Sequence, residues 1–426
     1  MGKLSSLARR AFVNTLLIIA SVLSGYVMME YALFRVMLPV VPIDIQSRLP
    51  TVAEILTQTS KAAYLPRDYI ALLGDSYAEG YGDWLQEVGS KRKGPFHSAD
   101  IIHQQTGRDV VSFGVGGAGS AEAMVRQPAL IFPSSSCSIF PAIEPPRQMF
   151  VYFYEGNDIE DNLKFLGKVS RRYGRSDPQA INQFLDADYA GAPFLHCHQQ
   201  LAETAFKQVE FLSQTYITGY SISYCGTPVE RRNHIVVGDR TIEAPALQGA
   251  APHLPDDSIR LGMDVFAHSL AWLHKRLPDV PITVVYVPSP LAVYRHADDT
   301  ISFCSVSGGG PAPRTIVERH HDAMRDMVAK ISAGQRIEFV DATPALRAAA
   351  RTSVIHGPHD WDHLNKAGYE ALGTLVASRF QESPEDRSRT TSLNSAAHAV
   401  ASSDVASSDH EPHTQTPSAS AAHDNR

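Results

Sequence analysis

Cysteine is scarce in this chain. Four stand in 426 residues, Cys137, Cys197, Cys225 and Cys304, and no two are close enough for a C-x-x-C metal or redox pair. Basic residues are not in excess either. Lys and Arg number 38 against 45 Asp and Glu, a formal net charge of −7, which argues against nucleic acid as a partner. No H-E-x-x-H or other fixed ligand spacing is present, so neither a metal nor an organic cofactor is expected. No internal repeat is visible. What is there is an ordinary globular balance, 44% hydrophobic and 19% charged, able to bury a full core. The length allows one large domain or two small ones. In an exported chain the four cysteines permit two disulfides, with three pairings open.

Long apolar runs are also rare, and the one that exists comes first. Lys3, Arg9 and Arg10 precede 19 residues, Ala11 to Met29, without a charge. As a helix they span roughly 28 Å, close to the hydrocarbon thickness of a bilayer. The basic flank keeps the N-terminus in the cytoplasm and exports the rest. Residues 1–38 are therefore read as a cytoplasmic N-terminus and transmembrane anchor, with the remainder extracytoplasmic. A cleaved signal peptide is the rival reading, since Val22-Leu23-Ser24 before Gly25 is a passable small-residue site. Met1-Gly2-Lys3-Leu4-Ser5-Ser6 fits a myristoylation pattern, but a weak lipid adds little to a spanning segment.

Residues 39–67, with several prolines, read as a linker. From Asp68 onward short apolar runs alternate with helical patterns. The runs are Tyr69–Leu73, Asp109–Phe113, Gln148–Tyr154, Ile282–Val287 and Ile337–Val340. Helices are expected at about Ala99–Gln105, Ala121–Leu130, Ile259–Arg276, Arg314–Ser332 and Lys366–Phe380. Continuously apolar strands alternating with helices imply a parallel sheet covered on both faces. The interval at about 167–255 is polar and turn-rich and reads as an insertion or cap within the 68–381 domain. After Glu382 the composition turns to Ser, Ala, Thr, His and Asp without apolar periodicity, so 382–426 is expected to be a disordered tail.

Four short motifs sit at the ends of these elements. Gly74-Asp75-Ser76 follows the first strand, where open α/β sheets present their sites. Its bland reading is a turn with a capping serine. Gly114 to Gly119 follows the second strand and formally satisfies G-x-G-x-x-G. It follows the wrong strand for a dinucleotide fold, and no acidic residue ends a strand some twenty positions on. A glycine turn offering N–H groups to an oxyanion accounts for the same residues. Gly156-Asn157-Asp158 follows the third strand, and Asn157 can donate to an oxyanion or merely shape a turn. Asp360-Trp361-Asp362-His363 precedes the last helix, with Asn365 as its N-cap, and supplies a base and its orienting carboxylate from one loop. Asp100-Ile101-Ile102-His103 has the same D-x-x-H spacing, but reads as a surface helix. His356, His359, Asp360 and His363 could be grouped as a metal site, without any ligand spacing to support it.

Gly74-Asp75-Ser76, Gly117, Asn157 and Asp360-x-x-His363 together resemble the four motif blocks of the SGNH (GDSL-like) hydrolase superfamily. The resemblance covers roughly residues 68–380. It implies a flavodoxin-like three-layer sandwich with a five-stranded parallel sheet in the order 2-1-3-4-5. It also implies Ser76 as nucleophile, His363 as base, Asp360 as its orienter, and Gly117 and Asn157 as oxyanion donors beside the Ser76 N–H. The chain departs from the pattern at Tyr77-Ala78, where Leu-Ser is typical, and at Ser112, where asparagine is common. The implied activity is hydrolysis of an acyl ester, short-chain by expectation, on an envelope glycan or lipid. Two alternatives stay open: an O-acyltransferase passing the acyl group to an extracytoplasmic polysaccharide, and a non-catalytic envelope scaffold.

Overall fold

The computed structural model describes residues 2–31, 55, 57–62, 65–83, 97–126, 128, 143–189, 232–305 and 307–380. In chain order the elements are α1 (Gly2–Tyr31), β1 (Ile70–Leu73), α2 (Ser76–Glu79), α3 (Ser98–Thr106), β2 (Val110–Ser112), a π-helical turn (Glu122–Arg126), β3 (Gln148–Tyr154), α4 (Asp158–Tyr173) and α5 (Pro178–Tyr189). Then come β4 (Asn233–Val237), β5 (Arg240–Ala244), β6 (Leu247–Gln248), α6 (Asp256–Arg276), β7 (Ile282–Val287), α7 (Pro290–Val293), β8 (Arg295–His296), β9 (Thr300–Ser305) and β10 (Gly308–Pro313). The last are α8 (Arg314–Gly334), β11 (Glu338–Asp341), α9 (Thr343–Thr352) and α10 (Lys366–Ala377).

β1, β2, β3, β7 and β11 form one parallel sheet in the order β2-β1-β3-β7-β11. Numbered as the five strands of this sheet alone, that is 2-1-3-4-5. Every residue of β1, β3 and β7 is buried, because helices cover both faces and each side chain of the pleat meets apolar neighbours. Ala71, Leu73, Val151, Phe153 and Val284 share one core cluster with Phe165 of α4, Phe266 of α6 and Met324 of α8. The alternate residues, among them Leu72, Phe150, Tyr152 and Val285, face the other way, the side on which α3, α9 and α10 pack together. Strand order reverses around β1, so the crevice at its carboxyl end is the expected place for a site.

The structure adds elements that the apolar pattern did not announce. α4 and α9 are helices, and Gly167, the expected start of the insertion, lies inside α4. Beyond residue 231 two small sheets flank the core, β5-β4-β8 and β10-β9-β6, drawing strands from both sides of β7. Part of the expected linker is packed: Ile55, Thr57 and Ser60 are buried. The Ser60 carbonyl accepts from Val110 N–H at 2.7 Å, and its hydroxyl donates to Val110 O at 2.6 Å, covering the open edge of β2. The expected helix at Ala121–Leu130 is a π-helical turn as far as Arg126, with most of the rest outside the described residues.

α1 exposes Phe12, Leu17, Ile18 and Val22, each by more than half of its surface. Its described side chains are those of residues 9–25 and Met28, and they include Arg9 and Arg10. Among the described residues no helix is long and apolar enough to cross a membrane. Met1–Ser378 form one compact unit; the expected tail from 382 lies outside the described residues. Cys304 is disulfide-bonded, and Cys137, Cys197 and Cys225 lie outside the described residues.

Candidate active site

The turn that carries Ser76 is made by local chemistry at the end of β1. Gly74 has φ +154°, and a Cβ there would sit 3.0 Å from the Cβ of Tyr152, so no other residue fits without strain. Asp75 caps α2, its Oδ1 accepting from Tyr77 N–H at 2.9 Å. Ser76, first in α2, therefore stands at the carboxyl edge of the sheet, with 6% of its surface exposed.

The last loop brings the other two residues to it. His363 Nε2 lies 2.8 Å from Ser76 Oγ, and His363 Nδ1 lies 2.8 Å from Asp360 Oδ2. In the reactive tautomer Nδ1–H donates to Asp360 and Nε2 accepts from the serine hydroxyl. Asp360 is fully buried, and its Oδ1 accepts from the N–H groups of Asp362 and His363 at 3.0 and 3.2 Å. The loop is itself held. Asp83 Oδ1 accepts from His359 N–H at 2.7 Å and Asp360 N–H at 2.8 Å, and Tyr77 OH donates to Asp362 O at 2.7 Å. Asn365 caps α10 by accepting from Ala367 and Gly368 N–H.

Tyr77 and Asp83 escaped the sequence reading. Tyr77 occupies the position where leucine is usual in the resembled motif, and it stacks on Tyr154 with ring centroids 4.0 Å apart. That unusual side chain at a motif position, and a carboxylate seven residues after the serine, were the available signals.

Gly116 and Gly117 lie in the loop after β2. A Cβ on Gly116 would lie 4.0 Å from that of Ser76, so the loop lies against the serine. Gly116 N–H donates to Glu79 Oε2 at 2.6 Å. Gly117 is exposed with φ +70°, and neither its N–H nor that of Ser76 has a hydrogen-bond partner among the described residues. A Cβ on Gly114 would fall 2.1 Å from Glu79 N, so this glycine lets two backbones touch and needs no bound phosphate to explain it. Asn157 stands between β3 and α4 and makes no cap bond. Its Oδ1 is buried without a partner, and its side chain lies near enough to Asp75 to favour that carboxylate's charged form.

The other D-x-x-H pair is differently used. Asp100 lies 3.1 Å from His97 Nε2 and accepts from Thr59, while His103 Nδ1 contacts Arg108 O. Its helix is not a plain surface helix, since Ser98 to Ile102 are buried. His356 turns its Nδ1 to Tyr294 OH at 3.0 Å.

Electrostatics favour the protonated form of His363. Burial alone would lower the pKa of His363, but the Asp360 charge and hydrogen bond, with Asp362 and Asp75 nearby, raise it to about 9. Burial raises Asp360, yet His363 and the loop N–H groups outweigh it and hold the carboxyl below its usual value. Asp75 is pushed up to about 6, chiefly by burial, against the pull of Tyr77 N–H and His363. Asp158, also buried, lies well above the usual range for the same reason and because Asp75 is near.

No family profile matches the chain, and no curated protein matches it. Solved structures similar to it include a phospholipase A1 from Streptomyces albidoflavus, 14% identical, with 73% of this chain and 98% of that one covered at a TM-score of 0.35. An extracellular lipase from Streptomyces rimosus is 14% identical, over 73% and 99% of the two chains, at 0.36. A carbohydrate acetylesterase from Sinorhizobium meliloti is 9% identical, over 74% and 98%, at 0.31. At such identities and scores the likeness bears no weight, and the chemistry rests on the geometry above.

Proposed function

We propose that this chain is a serine esterase of the SGNH type, and the observation that carries the reading is the unbroken hydrogen-bonded line from Ser76 Oγ through His363 to Asp360. Ser76 attacks an ester carbonyl as His363 takes its proton, and Asp360 stabilises the imidazolium. The oxyanion is met by the N–H groups of Ser76 and Gly117 and by the Asn157 amide. His363 then gives its proton to the leaving alcohol, and water, activated by the same imidazole, releases the acid. We assign the substrate to acyl esters on an envelope glycan or lipid, with the domain held outside the membrane by its N-terminal segment. Two features support that location: apolar side chains exposed along α1, and a disulfide at Cys304, a bond favoured by oxidising compartments.

A fluorophosphonate probe should label the full chain at Ser76, located by mass mapping, and labelling should vanish in Ser76→Ala. An unlabelled, folded wild type would mean a non-catalytic scaffold. Product analysis with p-nitrophenyl esters, with and without a glycan acceptor, separates release to water from transfer to sugar.

A further inference from the structure

The geometry points to a second binding site, for an organic carboxylate, in a cavity apart from the catalytic serine. The cavity has a volume of about 770 Å³, within the usual range of small-molecule sites, and none of Ser76, Asp360 and His363 lines it. β4, α7, β8, α8 and α9 contribute its walls.

Its charge is positive where it is free. Glu318 is near Arg314, and Asp322 is paired with Arg325, so both acids of the wall are answered. Arg295, Arg347 and Arg351 line the same cavity and form no ion pair among the described residues. Arg347 donates Nε to Ala292 O at 2.9 Å, which fixes its stem and leaves two terminal nitrogens for a ligand. A planar guanidinium in that state matches a carboxylate in bidentate fashion.

Two buried histidines, His296 and His321, belong to the same lining. His321 is 1% exposed and His296 6%, and each keeps one ring nitrogen, Nε2 and Nδ1 respectively, without a partner. Buried polar atoms are seldom left so. Glu155 holds His321 by Nδ1 at 2.7 Å, and Ser289 Oγ bonds that carboxylate at 3.1 Å rather than the imidazole. The arrangement is thus an acid–imidazole pair without a nucleophile. Val236, Leu291, Ile301 and Val317 are among its apolar lining, which suits a ligand with an apolar face behind its charge. Bare inorganic anions would leave most of this volume unfilled.

A sugar acid and a fatty acid share this chemistry, and binding to the full-length chain in nonionic detergent tells them apart. Glucuronate, octanoate and inorganic phosphate are titrated while the melting temperature is followed. At least one carboxylate should raise it saturably, with phosphate much weaker. Arg351→Gln and Arg347→Gln should each weaken that binding by about tenfold or more, as loss of a charge-assisted hydrogen bond does. Val236→Trp, which fills the cavity without removing charge, should abolish it and covers the case of an arginine variant that does not fold. No saturable shift with either carboxylate, equal binding of phosphate, or binding unchanged in folded Arg351→Gln and Val236→Trp would each overturn the assignment.

Discussion

Asp75→Asn should make the protein more stable at neutral pH. Asp75 is wholly buried and titrates at about 6, against 3.8 for the free side chain. Between those values the folded state binds a proton that the unfolded state has lost. Stability contributed at this position therefore falls as pH rises from about 4 to about 6, and the full cost applies above that. The difference amounts to roughly 3 kcal/mol at pH 7. Asparagine keeps the cap, since its carbonyl can still accept from Tyr77 N–H, and it carries no charge to desolvate. Urea unfolding of wild type and variant, measured from pH 4 to pH 8, reads the effect directly. The two should coincide near pH 4 and separate progressively toward pH 7, with the variant the more stable. A variant less stable at pH 7, or a difference that ignores pH, would refute the claim that burial of this carboxylate is a cost. Turnover should fall in the same variant, because His363 loses one of the charges that favour its protonated form.

His363→Ala should abolish acyl-enzyme formation, and Asp360→Asn should lower turnover by about 10⁴ with the fold intact by circular dichroism. His103→Ala, the control at the other D-x-x-H pair, should change the rate little; a dead control beside an active His363→Ala would reverse the assignment of the base. Asn157→Ala should lower turnover by about 10²–10³ with substrate affinity largely kept, checked by steady-state kinetics, whereas an unchanged rate would make it a turn residue. A periplasmic phosphatase fused after residue 60 should be active in a Gram-negative host, and activity from a cytoplasmic reporter alone would exclude the anchor topology.

The central sheet was legible because β1, β3 and β7 are apolar at nearly every position, a pattern few other structures tolerate. The helix α4 was not, since its buried face carries Asp158, Glu160, Asp161 and Asn162, which break the apolar period that marks a helix. β10, with the sequence Gly-Gly-Gly-Pro-Ala-Pro, lacks every usual strand former and pairs only because β9 lies beside it. Of the site, the serine, histidine and aspartate could be named from motif and order along the chain. Their supports could not. Tyr77 bonds a carbonyl 285 residues away, and Asp83 receives N–H groups 276 and 277 residues away, partners that only the folded chain supplies.

Why the protein keeps buried acids beside Ser76 follows from where each one points. Asp360 turns to His363 Nδ1, so its charge is spent on the imidazolium. Asp75 lies between the two halves of the site. One oxygen caps α2 and fixes the Ser76 turn, and the Asn157 side chain lies near the same carboxylate. A neutral residue at 75 can accept the same bonds but more weakly than a carboxylate. The charge therefore fixes the Ser76 turn and favours the protonated form of His363 together, and the stability it forfeits is the cost of both.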